Sequence, residues 1–191
     1  MLGHSESHTL ADRERQVLLA LVMDSIAAKL FAGEMPAPPD DSPILQQHRS
    51  VFVTLREPSG DLRGCMGDMS ASRPLGKAVQ RAALSAAFRD PRFRPLSGSE
   101  LAGMAVEISV LSPMRRIQGI REIEVGKHGL VIRARGQAGL LLPQVASSRG
   151  WSREQFLAAI CRKARLPEDA WKQKGAALHV FTAEIFGGFT K

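Results

Sequence analysis

The order of segments in this chain is written twice, and few folds accommodate that. Between residues 50 and 111 come a β-rich run (Val51, Phe52, Val53, Thr54, Leu55), the turn residues Pro58-Ser59-Gly60-Asp61, a second extended stretch, an alanine-rich helical segment and a closing strand. Between 122 and 186 the order returns. Leu130 to Arg135 reads as a strand, Gly136-Gln137-Ala138-Gly139 as a turn and Leu140 to Leu142 as the return strand; a helix through Arg165 and a last strand from Leu178 to Phe186 follow. Turn residues between short β-branched and aromatic runs mark a hairpin in each half. Even the closing strands look alike, Val106-Glu107-Ile108 beside Ala183-Glu184-Ile185. A repeated unit of this kind predicts an α+β fold: two related hairpin-helix-strand units sharing one largely antiparallel, barrel-like sheet, with helices outside.

Helical periodicity fills the remaining segments. From Leu10 to Phe31, Val17, Leu18, Leu21, Val22, Ile26 and Leu30 recur at three- and four-residue spacing, with Thr9 placed to cap the helix and Gly33 to end it. Residues 34–43 carry four prolines and read as an irregular connection. Ser72 and Pro74 open the first repeat's helix, whose apolar face is mostly alanine, the pattern of a helix lying close against a sheet. Ser152 with Gln155 forms a capping box for the second repeat's helix, with Phe156, Leu157, Ile160 and Cys161 inward.

A chain of 191 residues, 44% hydrophobic and 24% charged, has enough apolar surface for one folded domain, here 10–186. The most apolar stretch, Val17 to Phe31, is interrupted by Asp24 and Lys29, which argues against a membrane span or an export signal. Two cysteines do not make a disulfide framework, so both are expected as reduced thiols in the cytoplasm. The net charge of +7 raises polyanion binding as an alternative. The basic residues are scattered, however, and tyrosine is absent, so no base-stacking platform is visible.

Candidate chemistry concentrates in Leu62-Arg63-Gly64-Cys65-Met66-Gly67, on the return strand of the first hairpin. Extended geometry sends Arg63 and Cys65 to one face and Leu62, Gly64 and Met66 to the other. Cysteine reacts or ligates as the thiolate, which a neighbouring cation such as Arg63 favours, while a packed cysteine serves as a small hydrophobe. A catalytic Cys65 needs a base within reach, and His128, in the Gly126-to-Gly129 turn, is the candidate. Arg63 offers a planar fork for a carboxylate or phosphate, or else pairs with Asp68, Glu107 or Asp90. Gly64 and Gly67 allow close approach of a ligand or of backbone. Glu107 falls on the outward side of its strand as a candidate acid or base. Asp90 and Arg92 read as fixing the exit of the first repeat's helix, and Cys161 as core. His4, His8, His48, His128 and His179 lack the spacing of a zinc site, and no dinucleotide or phosphate-loop motif occurs, so no cofactor or metal is assigned.

The segments Leu62 to Gly67, Asp90-Pro91-Arg92-Phe93, Glu107-Ile108-Ser109-Val110-Leu111, Gly126-Lys127-His128-Gly129-Leu130 and Leu141-Leu142-Pro143-Gln144-Val145 stand in the order and spacing of the AMMECR family. The chain resembles that family from about Leu10 to Phe186. Its microbial members are called AmmeMemoRadiSam system protein A. The resemblance implies a single domain of two repeated α/β units and, for bacterial members, frequent company with a Memo-like protein and a radical SAM enzyme. Two residues depart from the pattern. Met66 stands where the family usually has isoleucine, and Arg165 where it tends to place a glycine after its last helix. Three functions follow as expectations. One is a component of a Memo-like and radical SAM pathway, acting on a small molecule or peptide in a cleft lined by Arg63, Cys65 and His128. The others are a non-catalytic adaptor for a protein partner and a basic nucleic-acid-binding protein.

Overall fold

Residues 9–188 are described by the computed structural model, so His4 and His8 lie outside the described residues. Apolar spacing, helix caps and hairpin turns produce the following elements in chain order: α1 (Asp12–Leu30), α2 (Pro43–Gln46), β1 (Val51–Arg56), β2 (Leu62–Asp68), α3 (Leu75–Phe88), β3 (Ala105–Leu111), β4 (Arg115–Arg116), β5 (Gly129–Ala134), β6 (Gln137–Leu141), α4 (Pro143–Ser147), α5 (Arg153–Lys163), β7 (Ala177–Phe181) and β8 (Ala183–Gly187). Single 3-10 turns at Gly98–Glu100 and Ala170–Lys172 precede β3 and β7. The α+β reading therefore holds, and hairpin, helix, short turn and strand recur in both halves.

The strands are divided between two four-stranded sheets, β2-β1-β3-β8 and β4-β7-β5-β6, and neither closes into a barrel. This replaces the single shared sheet expected from the repeat. The reason lies at Thr182. The stretch read as one strand leaves the second sheet there and continues as β8 beside β3, so Ala183-Glu184-Ile185 belongs to the first sheet. Thr182 N donates to Ser112 Oγ and Ser112 N to Thr182 O, both at 2.9 Å, which satisfies the backbone at this break. The counterpart of Glu107 in the second sheet is then His179: Glu107 lies opposite Thr54 of the first hairpin, and His179 opposite Val131 of the second.

Two compact units result, 9–110 with 184–188, and 111–183. In the first, α3 packs against β1 and β2, and α1 packs on α3. Its core includes Leu18, Ile26, Val53, Leu55, Val79, Ala83 and Ile108. The alanines let the helix approach closely: a Cβ on Gly64 would sit 2.2 Å from the Ala86 carbonyl oxygen. Glu184 of β8 accepts from the Leu10 amide and the Arg15 guanidinium, tying the start of α1 to this last strand. Thr9 does not cap α1, whose N-cap is Ala11, and the left-handed residue at its end is Ala32 (φ 53) rather than Gly33. Gly33 N closes the motif on Ala28 O at 2.9 Å.

In the second unit the hairpin turn is tighter than its glycines imply. Arg135 (φ 51) and Gly136 (φ 74) both take the left-handed conformation of a two-residue turn, and Gln137, Ala138 and Gly139 join β6. Gly139 repeats the role of Gly64, because a Cβ there would meet Ala164 N at 2.9 Å. Ser152 caps α5 as its sequence promised, accepting from Gln155 N at 3.2 Å while the Gln155 side chain accepts from Ser152 N at 2.8 Å. Phe156, Leu157, Ile160 and the fully buried Cys161 fill the core beneath β5.

Candidate functional site

Among the described residues β2 is an edge strand, with β1 as its neighbour in the sheet. Antiparallel register sets Cys65 opposite Thr54, and Thr54 opposite Glu107 on β3. Directly opposed residues share a face, so Cys65, Thr54 and Glu107 form one row across three strands. The adjacent row, Met66, Val53 and Ile108, belongs to the core on the α3 side. Thr54 Oγ1 donates to Cys65 Sγ at 3.3 Å. The face is not open solvent: Thr54 is 6% and Ser109 1% exposed, while Cys65 and Glu107 are half-buried.

The main chain of Cys65 is held from the side that the sheet leaves empty. Its N–H donates to Asp90 Oδ2 at 2.9 Å, and its carbonyl accepts from Arg92 Nη2 at 3.3 Å. Arg92 in turn grips Asp90 with two donors, Nε to Oδ1 at 2.9 Å and Nη2 to Oδ2 at 2.6 Å. An edge strand exposes unpaired backbone groups, and here one charge-assisted pair satisfies both groups of the cysteine. The Asp90 side chain is 2% exposed. The Arg92 guanidinium, with the amides of Cys65 and Arg92 assisting, overrides burial and draws its carboxyl down to about 2. Asp90 and Arg92 thus brace the strand that carries the thiol as well as the helix exit.

Arg63 departs from simple alternation. The register shifts between Leu55 and Arg56, so that Gly64 and Leu62 are paired and Arg63 is the extra residue of a bulge. Its guanidinium is 4% exposed at the residue level and reaches Glu100 Oε1 (Nε, 2.7 Å) and the Arg94 carbonyl (Nη2, 3.0 Å). The ion pair expected with Asp68, Glu107 or Asp90 therefore falls to Glu100, because the bulge takes Arg63 out of the cysteine's register. Arg63 and the Ser97 hydroxyl and amide pull the Glu100 carboxyl down to about 2. Phe93 carries both cations, with Arg63 Cζ 5.8 Å and Arg92 Cζ 5.4 Å from its ring centroid. Arg63 Nη1 is buried with no hydrogen-bond partner among the described residues.

The glycines of the segment serve packing. Gly64 admits α3, and Gly67 lies under the Phe52 ring, which a Cβ would meet at 2.4 Å. His128 is buried in the second unit, at the entry to β5, where its Nδ1 accepts from Glu124 N at 3.1 Å. Among the described residues no hydrogen bond joins it to Cys65. Sequence reasoning missed Thr54 and Glu100. The first left a faint mark, a single hydroxyl within an apolar run; the second left none, since its pairing depends on the bulge. No group of three or more His, Cys, Asp or Glu positioned to hold a metal ion occurs among the described residues.

The AMMECR1 family model matches residues 19–186, which include the second sheet, all of the first but Gly187, and the whole Cys65 segment. The chain belongs to the AMMECR1 family. Protein TK0174 of Thermococcus kodakarensis is 44% identical over 94% of this chain and 92% of its own length. Protein PF1979 of Pyrococcus furiosus is 41% identical over 94% and 90%. The crystal structure of the uncharacterized protein PH0010 from Pyrococcus horikoshii superposes with a TM-score of 0.86 at 39% identity, covering 93% of each chain. Met66 packs against the first core, and Arg165 takes a left-handed φ of 58. Among the described residues no helix is long and apolar enough to cross a membrane.

Proposed function

We propose that this AMMECR1-family protein binds a small organic molecule or peptide on the Cys65 face of its first sheet and acts on it as a component of a Memo-like and radical SAM pathway in the cytoplasm. The observation that carries this reading is the bracing of Cys65: a half-buried thiol whose amide, carbonyl and sulfur are each held by a separate polar group, Asp90, Arg92 and Thr54. A reactive group held this firmly meets its ligand without first being ordered. Glu107, one strand beyond Thr54 in the same row, is a candidate base. Arg63, one residue beyond Gly64, retains a buried donor for a carboxylate or phosphate oxygen.

The test is the rate of Cys65 alkylation as a function of pH in the native protein, with buried Cys161 as internal reference. Rapid, pH-dependent labelling of Cys65 supports the reading; labelling only after denaturation sinks it. The Asp90–Arg92 brace equally favours a second reading, a non-catalytic adaptor whose cysteine strand is shaped for a protein partner. Cys65→Ser with full pathway activity, together with loss of partner capture in Arg63→Ala, selects the adaptor. Nucleic-acid binding requires affinity that falls steeply with salt, and a flat salt response rejects it.

A further inference from the structure

A cavity of about 180 Å³ opens on the α3 side of the first sheet, where β2 turns toward the helix. Three arginines line it: Arg49 before β1, Arg73 in the connection after β2, and Arg81 on α3. Among the described residues of the lining, Asp68 is the carboxylate beside these three guanidinium groups. Ser72 and Ser85 add hydroxyls, and Val51, Met66 and Ala82 supply an apolar wall. Cys65 is not part of it. Alternation along β2 sends Met66 toward the cavity and core, and Cys65 to the opposite face.

The polar groups of the lining are arranged around the three guanidinium groups. Asp68 is occupied first by Ser70, whose amide donates at 2.8 Å, and stands 4.0 Å from Arg73. Arg73 Nη1 donates to the Ser72 hydroxyl at 3.0 Å, and the charges of Arg73 and the exposed Arg81 both act on the Asp68 carboxyl. Arg49 is 7% exposed, with Nη1 donating to Gln47 Oε1 at 2.9 Å. Burial pulls its pKa below the ordinary arginine value, and the Glu184 carboxylate opposes the shift with a smaller effect. A concave wall of low polarity strengthens the field of charges around it, and a buried guanidinium is most stable beside an anion.

We propose that this cavity binds a small anionic metabolite, with a phosphate or carboxylate head held by Arg49, Arg73 and Arg81 and a short apolar body against Met66 and Ala82. Both heads match the guanidinium fork. A cavity of about 180 Å³ limits the ligand to the size of a substituted single ring or a short chain. The site lies apart from the thiol face and does not depend on the reading of Cys65.

Calorimetric titration of the full chain with phenyl phosphate, benzoate and the uncharged benzyl alcohol tests it. One anionic probe is expected to bind with a Kd of about 1 mM or tighter, and the double variant Arg73→Gln/Arg81→Gln to weaken it about tenfold. Cys65→Ser is expected to leave binding unchanged, which separates this site from the thiol face. Preference for phenyl phosphate assigns a phosphate head, and preference for benzoate a carboxylate; both support the site. Arg81→Glu, a change at an exposed position, repeats the test with the fold intact, as checked by an unchanged Tm. Absence of binding by either anion, equal binding of benzyl alcohol, or full affinity in the arginine variants overturns the proposal.

Discussion

Asp90 tucks its carboxylate under the edge of β2, where it accepts the Cys65 amide and the fork of Arg92. With its pKa drawn from 3.8 to about 2, the unfolded chain binds more protons than the folded one between those values. Stability from this group is therefore complete above about pH 4 and is lost as pH falls toward about 2, a contribution of about 2 kcal/mol. Glu100 acts in the same direction, drawn from 4.5 to about 2 by Arg63. Asp90→Asn is expected to cost about 2 kcal/mol at neutral pH and to flatten the acid limb of the stability curve, as read from thermal unfolding across that window. If the wild-type and Asn variants lose stability in parallel on acidification, the clamp is not ionic. Arg165 offers the opposite case. The residue completes a helix-ending motif, with its own N–H bonded to Arg162 O and Leu166 N to Cys161 O, but it takes φ 58 with a side chain. Arg165→Gly relieves that strain at some cost in unfolded-chain entropy, and a net gain of about 0.5 kcal/mol is expected by denaturant titration.

At the scale of elements, each hairpin meets its helix through a glycine. Gly64 faces the Ala86 carbonyl and Gly139 the backbone of Ala164. Neither has a positive φ, so the requirement is space rather than backbone conformation. Gly64→Ala forces α3 away from β2 and is expected to cost about 3 kcal/mol, more than Gly139→Ala, where the approach is less severe. Gly60→Ala, with nothing within 4 Å but φ 93, separates the two causes and is expected to cost about 1 kcal/mol by urea unfolding. Local signals made much of this scale legible. The Ser152 capping box and the alanine face of α3 rest on neighbours within four residues, and they stand where their spacing placed them; the start of α3 differs, because Pro74 is its N-cap rather than part of its first turn and Ser72 does not cap it. The Arg135-Gly136 turn was obscured because four consecutive small or polar residues fit several turns, and Gly139 is small for α5 rather than for the turn.

For the whole molecule, the decisive element is β8. It follows the second unit in sequence yet completes the first sheet, and its Glu184 holds Arg15 and the Leu10 amide. Ending the chain after Thr182 is expected to remove hydrogen-exchange protection from β3 and the start of α1, while β5 and β7 retain theirs. Loss of protection confined to the second unit would contradict this division.

The sequence by itself determined the main helices and hairpins and their order, the capping box of α5, the apolar faces, the membership of the family and the segment where a thiol and a guanidinium adjoin. Those properties are written in spacing along the chain, where the periods of helix and strand act on near neighbours. Only the tertiary structure decided that β7 and β8 part company at Thr182, that Arg63 turns to Glu100, and that Thr54 and Glu107 join Cys65 in one row. Each depends on register or on a bulge between strands distant in sequence, and a shift of one residue would send every one of these side chains to the other face.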